Sequence, residues 1–111
     1  MVESIIPISI LENSKIASIA AFKLKSKTCA IVFGKTVFLH GVSKQEFMAD
    51  SAWLCHEIQH VMQWRKEGYI IFLIKYIWYS LRYGYYHNPF EIEARHAEQN
   101  VALLERVRVI Q

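Results

Sequence analysis

Hydrophobic residues follow two different spacings along this chain. Between Thr28 and His40 they form two short β-rich blocks, Thr28 to Phe33 and Thr36 to His40, parted by Gly34-Lys35. A two-residue connection with Gly first predicts a type II′ hairpin, and Gly41 ends its second strand. Upstream, Ile5-Ile6-Pro7-Ile8-Ser9-Ile10 reads as extended. Pro7 has no N–H to donate, which excludes a helix interior and a central strand and predicts an edge segment. Ser14 is placed to cap a short helix carrying Ile16, Ile19, Ala20 and Lys23.

Helical spacing takes over at Ser43. Ser43 with Glu46 three residues on forms a capping box for a short helix that breaks at Asp50. Asp50 then caps the main helix, Ser51 to about Glu67, whose apolar surface is Trp53, Leu54, Ile58, Val61, Met62 and Trp64. Gly68 stops it. From Tyr69 to Tyr83 the chain is nearly all apolar or aromatic, interrupted by Lys75 and Arg82. This run of about 15 residues is short of the ~20 that a membrane span needs. It predicts a helix that is either the buried centre of the fold or a core helix with part of its surface on a dimer partner or a membrane surface. The second option arises because so small a protein cannot easily cover one helix all round. Gly84-Tyr85-Tyr86-His87 reads as a loop. Asn88 as N-cap and Pro89 at N1 start the next helix, with Glu91 at N3. That helix is expected to run through Ala94, Ala97, Val101 and Leu104 to about Arg106, followed by a terminal strand or frayed tail from Val107 to Gln111. The predicted fold class is α+β: an N-terminal hairpin or small sheet packed on the main helix, with two further C-terminal helices.

Composition narrows the function classes. At 111 residues, 53% of them hydrophobic, residues 1–111 make a single globular domain with one core. The net charge is +3, and the basic residues are scattered without a dense patch interleaved with aromatics, so nucleic-acid binding has no positive support. Met-Val-Glu-Ser-Ile-Ile-Pro lacks the basic start and cleavage site of a secretory signal, which implies a cytoplasmic protein or a trimmed form. Cys29 and Cys55 are the only cysteines and do not read as a disulfide framework. Cys55 precedes His56 on the helix and points elsewhere, as a small core residue does.

The chemistry centres on His56-Glu57-Ile58-Gln59-His60 in the main helix. Histidines four apart share one helix face, so both imidazoles can reach one metal ion at the 2.0–2.1 Å typical of zinc. Glu57, offset by about 100°, is placed to meet metal-bound water as a general base instead of ligating. The bland alternative is an ordinary helix with two surface histidines and a glutamate. Catalytic zinc generally has three protein ligands and a water, so a third ligand is needed; Glu91, Glu93, His87 and His96 are the candidates.

This HExxH, followed some thirty residues later by a helical Glu-x-x-Ala, resembles the gluzincin zinc peptidases, and among them short bacterial HExxH proteins and minimal single-domain gluzincins. Those bacterial proteins often show His-Glu-x-x-His-x-x-Gln and Asn-Pro-x-Glu-x-Glu-Ala-Arg. The present chain has His56, Glu57, His60 and Gln63, then Asn88-Pro89-Phe90-Glu91-Ile92-Glu93-Ala94-Arg95. The likeness spans roughly residues 36 to 99. It implies a small zincin-like domain, Zn²⁺ held by His56, His60 and Glu91, Glu57 as the catalytic base, and peptide or protein substrates. Many gluzincins place an Asp four residues after the ligand Glu, where this chain has Arg95. The task of orienting a zinc-bound histidine then falls to another group, Glu98 or a backbone carbonyl. Gln63 is either a partner of the third-ligand helix or an ordinary surface residue. Tyr83, Tyr85, Tyr86 and His87 form the pool from which an oxyanion stabiliser would come, though each also reads as packing. By analogy the strand Thr36 to His40 would bind an extended peptide by strand addition.

A reading of a different class stands beside this one: a zinc-stabilised binding module whose catalysis is lost or latent; a homo-oligomer or membrane-surface contact through residues 69–83 is compatible with either. The fourth zinc position separates the two, open to water in an enzyme and closed by a fourth protein ligand in a module.

Overall fold

A computed structural model describes residues 5–111. The architecture is α+β, as the spacing of apolar residues predicts. Four strands, β1 (Ile6–Leu11), β2 (Cys29–Phe33), β3 (Thr36–His40) and β4 (Val107–Val109), form one mixed sheet in the order β2-β3-β1-β4. The five α-helices are α1 (Lys15–Leu24), α2 (Lys44–Ala49), α3 (Ser51–Glu67), α4 (Tyr69–Tyr83) and α5 (Pro89–His96).

The local signals act as their chemistry requires. Ser14 accepts from the Ala17 amide to start α1, and Ser43 and Glu46 close a reciprocal capping box on α2. Asp50 ends α2 and accepts from the Trp53 amide to start α3. Gly68 and Gly84 bracket α4 at positive φ. Gly34 turns the hairpin at φ +65° while Lys35 keeps a negative φ, the pattern of a II′ turn. A Cβ at Gly34 would run into the Tyr69 hydroxyl, so the glycine also lets the hairpin sit on α4.

Ile6, Ile8 and Ile10 of β1 alternate onto one face with Val37 and Leu39 of β3, and that face packs against Cys55, Ile58 and Val61 of α3. Cys29 and Cys55 are both free thiols, and Cys55 is fully buried in this core. α1 packs on β2 and β3 through Ala17 and Ala21 and leaves Ile16, Ile19 and Phe22 exposed.

Three expectations are corrected. β1 is an interior strand and not an edge. Its odd residues bond toward β3, where the Ser9 amide donates to Lys35, and its even residues bond toward β4, where the Ile10 amide donates to Gln111. Pro7 therefore directs its missing donor toward β3, whose pairing begins only at Ser9–Thr36; the proline costs no ladder bond. β3 is also interior, so its backbone cannot receive an added strand; β2 is the open edge on that side. The last helix stops at His96 and gives way to two tighter 3₁₀ segments, Ala97–Gln99 and Val101–Arg106, with a break at Asn100. Ala94 and Leu103 are both buried. On one continuous α-helix, nine residues apart, they would point about 180° away from each other, so the break lets both face the core. The chain then enters β4, parallel to β1, which resolves strand against frayed tail.

α4 is not the buried centre of the fold. Of its 15 residues only Phe72 is buried, and most of its large apolar side chains face outward. Among the described residues no helix is long and apolar enough to cross a membrane.

Candidate metal centre

α3 presents His56 and His60 on one face, and α5 crosses it so that Glu91 meets both. Glu91 Oε1 lies 3.2 Å from His56 Nε2 and 3.1 Å from His60 Nε2. These three donors are mutually within 4.8 Å. Close approach of the two helices follows from Ala94 and Ala97, small residues three and six beyond Glu91 on the same side.

Both imidazoles are held from behind. His56 Nδ1 donates to Glu98 Oε2 at 2.8 Å, and His60 Nδ1 donates to Gln63 Oε1 at 2.7 Å. The Gln63 amide is buried and fully used, its Nε2 donating to the Phe90 carbonyl and to Glu93, each at 3.0 Å. Gln63 is thus a bracket between α3 and α5 and not a surface residue. Tyr76 Oη donates to Glu91 Oε2 at 2.6 Å, which leaves Oε1 for the histidines.

The charges within this cluster are strongly coupled. Burial disfavours ionisation of Glu91, but the bonds from His56 and His60, with Tyr76 behind them, outweigh it and hold the carboxyl well below the usual range. Burial likewise works against the His56 cation. The bond to Glu91, the charge of Glu57 and the bond to Glu98 overcome it and raise His56 to about 9; His60 is raised for similar reasons. Both shifts favour the protonated rings, whose Nε2 atoms face one carboxylate oxygen.

This donor set suits a divalent cation. Glu91 Oε1 lies 3.1–3.2 Å from the two Nε2 atoms, and the ligand atoms of all three residues are near enough to one another to hold one ion. The Nδ1 partners, Glu98 and Gln63, favour the tautomer that leaves each Nε2 free for an ion.

A cavity of about 380 Å³ opens beside the cluster, lined by β2, α1, α3 and α4. Glu57, only 4% exposed, lies on its wall with His56, His60 and Glu91. Burial raises the Glu57 pKa, the two histidine cations pull it down and Glu91 raises it again, with the result near 7. A carboxyl poised there suits proton transfer at neutral pH. Of the four loop candidates, Tyr85 alone lines the cavity. Desolvation of its hydroxyl, then the charges of Glu91 and Glu57, push its pKa up and keep it a neutral donor. Tyr83 packs on Tyr79, and Tyr86 lies under the Arg95 guanidinium and against His87.

The remaining candidates stand apart. Glu93 is exposed and accepts from Gln59 and Gln63. His96 is exposed at the end of α5. Arg95 donates to the Tyr86 carbonyl, while Glu98 stands behind His56. Tyr76 was hidden in the sequence within an apolar run. Its signal is a polar tip one turn after Phe72, on the inward stripe of α4. Comparison of the chain with family models, with curated proteins and with solved structures returned no match.

Proposed function

We propose that this protein is a zinc-dependent metallopeptidase of gluzincin type. One observation carries the reading: His56 Nε2, His60 Nε2 and Glu91 Oε1 converge on one point beside the cavity wall that holds Glu57. His56, His60 and Glu91 would hold the ion. When bound, zinc supplies Lewis acidity that polarises a carbonyl and acidifies water. Glu57, buried and near neutrality in pKa, takes the proton of the attacking water and returns it to the leaving amine. Tyr85 donates its O–H toward charge developing on the carbonyl oxygen.

β2 supports a polypeptide substrate. In a two-residue hairpin the flanking pair, Phe33 and Thr36, exchanges hydrogen bonds, so the alternate residues Ala30 and Val32 turn their N–H and C=O groups to the open edge. Both residues line the cavity. An extended chain pairing there lies along the wall that carries Glu57. Among the described residues the cluster offers three protein donors, the number that a catalytic site with an open position uses.

Glu57→Gln tests the reading. The variant is expected to keep stoichiometric zinc and its melting temperature and to lose cleavage of unstructured protein substrates by about 10²–10⁴-fold. Wild-type rates in the variant refute Glu57 as the base. A wild type that cleaves nothing from a broad peptide library, even with either terminus trimmed, favours the binding module.

A further inference from the structure

We infer that α1 and α4 together form a docking surface for an anionic lipid bilayer, with the mouth of the cavity facing the headgroups. This goes beyond the proposed hydrolysis and does not depend on metal.

The first observation is a helix face that none of the described residues covers. Ile70, Ile74, Ile77, Trp78 and Leu81 recur at the spacing of one helical stripe, opposite Phe72 and Tyr76, and all five are exposed, Ile70 to 74% and Leu81 to 80%. α1 repeats the arrangement on a smaller scale. Ala17 and Ala21 face inward, while Ile16, Ile19 and Phe22 lie outward within about 120° of arc, Phe22 at 85% exposure. The two helices flank one opening. Leu24 of α1, Phe33 of β2 and Leu73 of α4 each line the cavity and are each about half exposed, so they form its rim.

The second observation is charge. Residues 13–45 contain six lysines and no Asp or Glu, and residues 68–90 contain Lys75 and Arg82 and again no Asp or Glu. All ten acidic residues lie outside the two segments that carry the exposed apolar faces. Lys15, Lys23, Lys25, Lys27 and Lys35 are exposed. Lys75 is engaged by Glu67 at 2.6 Å.

Charge selects the occupant. A second copy related by a two-fold axis would set the exposed lysines of residues 13–45 against their own copies, which like-charge repulsion opposes. An anionic bilayer complements them. Lysine stems lie along apolar surface with their ammonium groups at the headgroups. Trp78 and Tyr83 are amphipathic rings of the kind that settle at membrane interfaces. Fifteen residues of helix reach about 22 Å, short of a ~30 Å hydrocarbon core, so α4 lies in the interface and does not cross it.

Sedimentation of the full chain with vesicles tests the inference, comparing phosphatidylcholine alone with phosphatidylcholine mixed with phosphatidylglycerol. The protein is expected to sediment with the mixed vesicles and not with the neutral ones, and to be released by added salt. The double variants Ile74→Asp/Leu81→Asp and Lys23→Glu/Lys25→Glu should each weaken partitioning about tenfold or more. Val101→Asp, at an exposed apolar residue outside both helices, should leave it unchanged. All these sites are exposed, and circular dichroism checks that each variant is folded. Failure to sediment with the mixed vesicles overturns the inference, as does equal binding to both compositions. Ultracentrifugation without lipid supplies the remaining arm. A dimer that Ile74→Asp/Leu81→Asp dissolves would make a second copy the occupant and overturn the lipid reading.

Discussion

Replacing Glu91 by Gln, with Glu93→Gln as its control, separates a metal ligand from a helix-surface carboxylate two positions away. Glu91 is 3% exposed and takes bonds from His56, His60 and Tyr76. Its amide analogue keeps the shape but loses the charge and one acceptor oxygen. Removing a group that only supports a ligand typically costs 10–100-fold in metal affinity. Removing a ligand itself should cost at least the upper end, about 10²-fold or about 2.8 kcal/mol. Glu93 bonds to none of His56, His60 and Glu91. It accepts from Gln59 and Gln63, and a Gln in its place still offers a carbonyl oxygen to both. Its effect should stay below about tenfold. Without metal, Glu91→Gln also forfeits charge-assisted bonds to two raised-pKa histidines, partly offset by relief of a buried carboxylate. A net loss of about 1–3 kcal/mol follows, lowering the melting temperature by several degrees. Competition for Zn²⁺ against a fluorescent chelator gives both affinities, and thermal melts of the metal-free variants give the stabilities. Equal weakening by the two substitutions, or the reverse order, refutes the assignment of Glu91.

Proton competition at the same cluster predicts a pH dependence. His56 is raised from 6.5 to about 9, so its stabilisation of the metal-free fold is fully present below pH 6.5 and lost as pH rises through about 9. Metal affinity should run the other way, increasing across that window with net proton release by calorimetry in buffers of different ionisation enthalpy; a flat profile would contradict the doubly bonded imidazoles. Asn88 is fully buried, accepting from the Phe90 amide and donating to the Tyr76 carbonyl and Ser80 Oγ. Asn88→Ala should cost about 2–4 kcal/mol by chemical denaturation, the sum of a lost cap and two stranded acceptors, and a change under 1 kcal/mol would refute the role.

Chain order alone carried the features that act within a turn of helix or one hairpin. Ser43 with Glu46, Asp50, Gly68 and Asn88-Pro89 mark helix ends because a cap satisfies amides only one to three residues away. Gly34-Lys35 sets its hairpin for the same reason of reach. The His56–His60 pair is legible because residues four apart share a helix face under any packing. Likewise Glu91 and Glu93, about 200° apart, can never both face one ion.

The tertiary structure decided whatever depends on how one element meets another. Which of those two glutamates turns to α3 is set by the approach of α5 and the 3₁₀ turn after it through Ala94 and Ala97, a contact between elements distant in the chain. Tyr76 joins the site because Phe72, packed on Trp64 and Phe90, fixes the rotation of α4 about its axis. Glu98 reaches His56 across 42 residues. Pro7 looked like an edge residue because a missing donor is costly only opposite an acceptor. The offset of β3 relative to β1 removes that acceptor, and β4 returns from the far end of the chain to make β1 interior. The α4 run looked like a core because hydrophobicity shows a preference for burial, while the surface available to bury it depends on every other element. In a domain of this size that surface covers one side of the helix, so the other is left open.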